Sequence, residues 1–247
     1  QNPFDVINAY KAYGYGYSGA DKRIAILDGA FDAQHYIYTN KSDVSTYGTL
    51  SSDSSSSYHG NSVAGVAAGY LNTSYSGTAV SHGVAYDADL HLASYNQRSG
   101  QTYYATHWAN ATNDAKSSAT VAQNNSWGID EQYSSSTSYS TSYLATMWSN
   151  SGYTSNATSV QSYLNALNSF QDNGVIVYAL SNTSSFGDAD VQAALPEIDS
   201  NLAEAWITGV NIDVTGSAGN ETFTRKSAPC GSTAKYCLGA DGWYIGG

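Results

Sequence analysis

The chain has 247 residues, 41% of them hydrophobic and only 12% charged, enough apolar material for one α/β domain with a sizeable core and too much for wholesale disorder. A formal net charge of −11 repels phosphate backbones and excludes nucleic acid as a natural partner. The longest strongly apolar run, 175–180, is far short of the ~20 residues that span a bilayer, so no transmembrane helix is expected.

In chain order, short apolar runs alternate with small-residue or amphipathic stretches. The opening Gln1-Asn2-Pro3 carries no charged and then apolar leader, so any signal peptide or pro-segment is expected to be absent from this sequence. Arg23-Ile24-Ala25-Ile26-Leu27 predicts a buried strand. Small residues from Ser62 to Gly69 predict a helix lying close on a sheet. A strand is predicted over 89–94, a helix over 102–117, and a short strand over 120–124 that leads into Asn125-Ser126-Trp127-Gly128. Val160, Tyr163, Leu164, Leu167 and Phe170 keep helical spacing within 160–172, with Gly174 as the stop. Strands follow over 175–180 and 206–212. This alternation implies an α/β fold with a mostly parallel sheet and helices on its faces. Two stretches resist it. The Ser run at 51–58 and the Ser/Tyr/Thr-rich segment 133–159 read as surface insertions.

The first strand ends in Leu27-Asp28-Gly29, and open α/β sheets collect functional groups at the carboxyl ends of their strands. Taken alone, Asp28 is more often a turn cap. His59-Gly60 opens the small-residue helix, where a ring beside a glycine can face a cleft; taken alone, it too is more often a surface residue. The only cysteines, Cys230 and Cys237, suit neither a CxxC redox site nor a zinc knuckle. They read either as two buried thiols or, the reading we favour, as a disulfide formed outside the cytoplasm.

Taken together, these segments resemble the subtilisin-like serine proteases, the subtilases. "AILDGAFD" resembles the family's Asp box, "HGNSVAGVAAG" its His box, "NNSWG" its substrate-cleft segment, and "VIVYALSN" the strand whose last Asn stabilises the oxyanion. They occur in the family's order. "NPFDVINAYKAYGYGYSGADKRIAILD", "HGVAYDADL" and "CGSTAKYCLGADG" resemble, more narrowly, exported bacterial subtilases of the autotransporter type, and the last block strengthens the Cys230–Cys237 pairing. The chain departs from the family pattern at several places. Gly29 stands where Ser or Thr follows the Asp, Asn61 and Ser62 replace Thr and His, Ser181 replaces Gly, and Asp241 replaces Pro. The nucleophile motif G-T-S-x-A occurs nowhere in the 247 residues; Gly231-Ser232-Thr233-Ala234 is a superficial look-alike.

The resemblance implies a three-layer subtilisin-like fold across 1–247, lacking the segment with the nucleophilic serine. It implies Asp28 and His59 as the acid–base pair, Asn182 as oxyanion donor, and Ser126, Trp127 and Gly128 as the edge that pairs with an extended polypeptide substrate. The serine would come from a C-terminal remainder or a second chain, and the protein would act outside the cell or at its surface. No cofactor is required. Calcium is common in the family, but no segment has the spacing that names its ligands. The rival expectation is an inactive subtilase fold kept as a structural or assembly module. A carbohydrate-binding role through exposed Tyr and Trp ranks third.

Overall fold

The computed structural model describes residues 3–53, 58–71, 82–217 and 219–242. Two short helices, α1 (Pro3–Val6) and α2 (Ala9–Gly14), precede β1 (Arg23–Asp28). There follow α3 (Tyr36–Thr39), β2 (Val44–Tyr47), α4 (His59–Ala68), β3 (Asp89–Ser94), α5 (Tyr104–Ser117), β4 (Ala122–Asn125), α6 (Thr141–Asn150), α7 (Ala157–Phe170) and β5 (Val175–Ala179). The last elements are α8 (Leu195–Ile198), β6 (Trp206–Ser217), β7 (Asn220–Arg225) and β8 (Cys237–Asp241). The strands form one sheet in the order β2-β3-β1-β4-β5-β6-β7, with β8 also on β6. Every pairing is parallel except that of β6 with β7.

The centre of the sheet is buried on both faces, and the two-residue period of β1 divides its side chains between two cores. Ile26, with Leu90 and Leu92, packs against Ala64 and Ala68 of α4. Ala25 and Leu27 belong to the opposite core, with Trp108 of α5 and Val160, Leu164 and Leu167 of α7. The result is the three-layer arrangement that the alternating pattern implies. Helix α4 comes close to the sheet because its facing positions are small. A Cβ at Gly60 would stand 2.5 Å from the Phe31 ring and 2.8 Å from the Ala30 carbonyl oxygen.

Some boundaries differ from expectation for local reasons. α7 begins one turn earlier than the apolar spacing suggests, because Asn156 and Ser159 close a reciprocal capping box. β6 runs on to Ser217 because β7 pairs with its far half. The segment 133–159 is not a surface insertion throughout. It carries α6, whose Leu144 and Trp148 are fully buried against the α5–α7 core. The Ser and Thr around them face outward and mask an amphipathic helix. Of the Ser run, residues 54–57 lie outside the described residues, while Ser51 is buried and its backbone N–H donates to Ser94 Oγ at 2.8 Å.

Cys230 and Cys237 are joined by a disulfide, with Cα atoms 5.9 Å apart. The enclosed loop has other anchors. Tyr236 Oη donates to Glu197 at 2.7 Å, Lys235 Nζ lies 2.9 Å from the same carboxylate, and the hydroxyls of Thr233 and Thr208 meet at 3.1 Å. Replacing both cysteines by Ser is therefore expected to lower the unfolding free energy by no more than ~3 kcal/mol, since a loop this short restricts the unfolded chain little. Urea titration of the paired variant checks this. A larger loss would mean that the bridge holds more than its own loop.

Candidate active site

Asp28 ends β1, and its carboxylate is buried to 1% exposure. Its Oδ1 accepts from the Gly29 backbone N–H at 2.7 Å and lies 2.8 Å from His59 Nδ1. The ring is donated by the first residue of α4, and its side chain is 53% exposed. One partner is therefore fixed and dry, the other reachable. With Nδ1–H given to the carboxylate, Nε2 is the nitrogen left to take a proton. The hydrogen bond to Asp28 raises the His59 pKa above 6.5; partial burial opposes this, and the Asp28 charge assists it. Asp28 Oδ2 is buried and has no donor among the described residues.

Backbone contacts hold the pair in register. The Gly60 N–H donates to Ala30 O at 3.1 Å, and the Tyr95 N–H to Asp28 O at 2.8 Å. Asn61, which departs from the family pattern, has a positional use. Its Oδ1 accepts from the Asp32 N–H and from Tyr38 Oη, both at 3.0 Å, and so pins the first turn of α4 to the chain leaving β1.

The other expected residues lie on the same edge of the sheet. β1, β4 and β5 are adjacent and parallel, with Leu27 level with Asn125 and Asn125 level with Tyr178. Ser126 to Gly128 leave the carboxyl end of β4 outside any strand, and Asn182 follows the carboxyl end of β5. The Ser126 hydroxyl accepts from Asn124 Nδ2 at 2.8 Å. The Trp127 side chain turns into the core, stacked 4.7 Å from Tyr95 and tilted against Trp108 at 4.6 Å. Only its backbone is left to line a cleft. Asn182 is exposed. Ser232 is tied elsewhere: its hydroxyl donates to Asp188 Oδ2 at 2.8 Å and its N–H to Asp188 Oδ1 at 2.6 Å.

Sequence reasoning missed the carboxylates around the β5 loop. Asp190 is buried and accepts the Ser181 N–H at 2.8 Å; burial raises its pKa, and backbone donors oppose the rise. Asp130 accepts from the hydroxyls of Ser181 and Thr183. Neither stands in a motif, and only the folded pairing of 129–133 with 187–192 brings them there. Among the described residues, no group of three or more His, Cys, Asp or Glu is arranged to hold a metal ion, and no helix is long and apolar enough to cross a membrane.

The sequence profile of the subtilase family matches residues 13–245. The chain belongs to the subtilase family. None of the curated proteins compared with it matches. Among solved structures, this subtilase is similar to the prenylagaramide maturation protease PagA, at 14% identity over 95% of this chain and 67% of that one, with a TM-score of 0.57. It is similar to fervidolysin from Fervidobacterium pennivorans, a keratinolytic enzyme related to subtilisin, at 18% identity over 95% of this chain and 30% of that one, TM-score 0.57. It is also similar to the self-cleaved protease domain of PatA, at 20% identity over 92% and 69% of the two chains, TM-score 0.55. The chain thus spans less than a third of the fervidolysin chain. At such identities these likenesses show the subtilisin-like fold alone.

Proposed function

We propose that residues 1–247 form the acid–base part of an exported subtilisin-like serine endopeptidase. The observation that carries this is the contact between the buried Asp28 carboxylate and the accessible His59 ring. In the proposed reaction, His59 Nε2 removes the proton from a serine hydroxyl as that oxygen attacks the scissile carbonyl carbon. It then returns the proton to the departing amine as the carbon–nitrogen bond breaks. Asp28 holds the Nδ1–H tautomer and stabilises the imidazolium. Asn182 donates its amide to the oxyanion, and the backbone at Ser126 to Gly128 pairs with an extended polypeptide. The serine is proposed to lie on chain outside these residues, either further along the same polypeptide or on a second one. The disulfide and the low charge content support an extracellular or cell-surface location.

A fluorophosphonate probe tests the reading on the full-length protein. Labelling is expected, at a serine outside 1–247, and His59→Ala is expected to abolish it because the nucleophile loses its base. An unlabelled full-length chain that still folds would favour the inactive module, a rival to which the altered flanks of the Asp, His and Asn boxes lend support. Labelling at Ser232 would place the nucleophile inside this chain and overturn the assignment.

A further inference from the structure

The turn that bears Asn182 is gripped on both of its flanks and left alone in its middle. Upstream, the Ser181 N–H donates to buried Asp190 Oδ2 at 2.8 Å, and its carbonyl accepts from the Ala228 N–H at 2.7 Å. The Ser181 hydroxyl donates to Asp130 Oδ1 and accepts from the Thr183 N–H at 3.0 Å. Downstream, the Thr183 hydroxyl lies 2.8 Å from each of Asp130 Oδ1 and Oδ2. Asn182 has no hydrogen bond among the described residues and is exposed between the two. Asp130 is itself held by its own segment. The Ile129 N–H donates to buried Gln192 Oε1, and the Val191 N–H to Glu131 O at 2.9 Å. One carboxylate therefore spans the two hydroxyls beside Asn182 and fastens them to the chain that has just left Ser126 to Gly128.

We propose that Asp130 is a positioning residue: by holding Ser181 and Thr183 it fixes the backbone that carries the Asn182 amide relative to the substrate edge. This rests on the oxyanion reading of Asn182. Two effects of Asp130 have opposite signs. Its grip preorganises the donor, and a donor misplaced by about 1 Å can forfeit ~100-fold in rate. Its negative charge, in contrast, opposes an oxyanion growing nearby. The geometric effect prevails here: Asp130 is exposed, so solvent and salt screen its charge, while its contacts to Ser181 and Thr183 hold both flanks of Asn182. Ser181 gives the grip its upstream half, a role that the glycine usual at this place could not fill.

The test uses the full-length protein and an internally quenched peptide substrate. Asp130→Ala is expected to lower kcat by ~10- to 100-fold with KM changed by less than about twofold. Asp130→Asn keeps an oxygen able to accept from both hydroxyls, so its kcat should stay within about threefold of the parent. The deciding measurement is a cycle with Asn182→Ala. If Asp130 acts through Asn182, adding Asp130→Ala to that variant should change kcat by less than about twofold. An equal loss in both backgrounds would make Asp130 merely structural and overturn the proposal. A rise in kcat for both Asp130 variants would show that its charge, not its grip, governs, and overturn it too. Losses in His59→Ala and Asn182→Ala with none in Asp130→Ala would sink the clamp alone and leave the peptidase reading standing. No loss in His59→Ala would sink both.

Discussion

His59→Ala in the full-length protein is expected to lower turnover by ~10⁶, the size of the loss measured for the same removal in another subtilase. The argument lies in the division of labour at the pair. Asp28 is 1% exposed and cannot itself reach a substrate proton, whereas the His59 side chain is 53% exposed. Without the ring, the nucleophile has no base and the buried carboxylate faces a void. The pH profile should carry the same signature. The raised His59 pKa places the acid limb of kcat/KM above pH 6.5, because the ring must be neutral to act as base. Asp28→Asn removes the cause of the rise, so the limb should move down while the rate falls. Stability runs the other way. A group whose folded pKa is raised contributes fully below its unfolded value of 6.5, and that contribution fades as pH climbs through the folded pKa. Activity should therefore grow over the window in which the pair stops stabilising the fold. A flat profile between pH 5 and 9 would contradict the assignment.

The largest stability effect is expected at Trp108→Ala. Trp108 is fully buried, with ring centroids at 4.6 Å from Trp127, 5.2 Å from Trp148 and 5.6 Å from Tyr163. Its Nε1–H donates to Tyr95 O at 2.9 Å. Truncating such a residue costs about 3–5 kcal/mol, and the carbonyl left without its donor adds about 1 kcal/mol. In a domain this size that lowers Tm by roughly 10–20 °C. Trp108→Phe keeps most of the ring and should lose about half as much. A Trp108→Ala loss below about 1.5 kcal/mol would show that the core collapses into the space. The Tyr95 ring lies 4.7 Å from Trp127 and would touch a Cβ at Gly29 at 3.6 Å, so the same substitution is expected to loosen the support behind Asp28.

The parts legible in the sequence were those with a period or a spacing. Ile24 to Leu27 and 175–180 are apolar runs and Leu90, Leu92 and Ala93 give 89–94 its apolar centre; these residues lie in the central part of the sheet, and each segment forms a strand there. Asp28, His59 and Asn182 were singled out through the ordered resemblance; the structure brings the first two into contact and places Asn182 after the carboxyl end of β5. Trp127 was half legible: its position at the strand end was right, but its ring belongs to the aromatic core. Strands β2, β7 and β8 were not legible. They are edge or outer strands such as 220–225, whose exposed Thr and Phe223 follow no buried period. Asp130 could not be singled out, since its partners at Ser181 and Thr183 are far away in sequence and ordinary in composition.

The strand order also has a consequence for biosynthesis. Asp28 and His59 both precede β3, so the segments that carry this hydrogen-bonded pair leave the ribosome before β4 and β5 are made. Chains emerge at about 5–20 residues per second and tend to fold from the amino end. The loop with Asn182, and the Asp130 that grips it, arrive later. At those rates Asp28 and His59 wait roughly 6–24 s for the 123 residues that separate His59 from Asn182, and β1 lacks its sheet neighbours β3 and β4 for the first part of that wait.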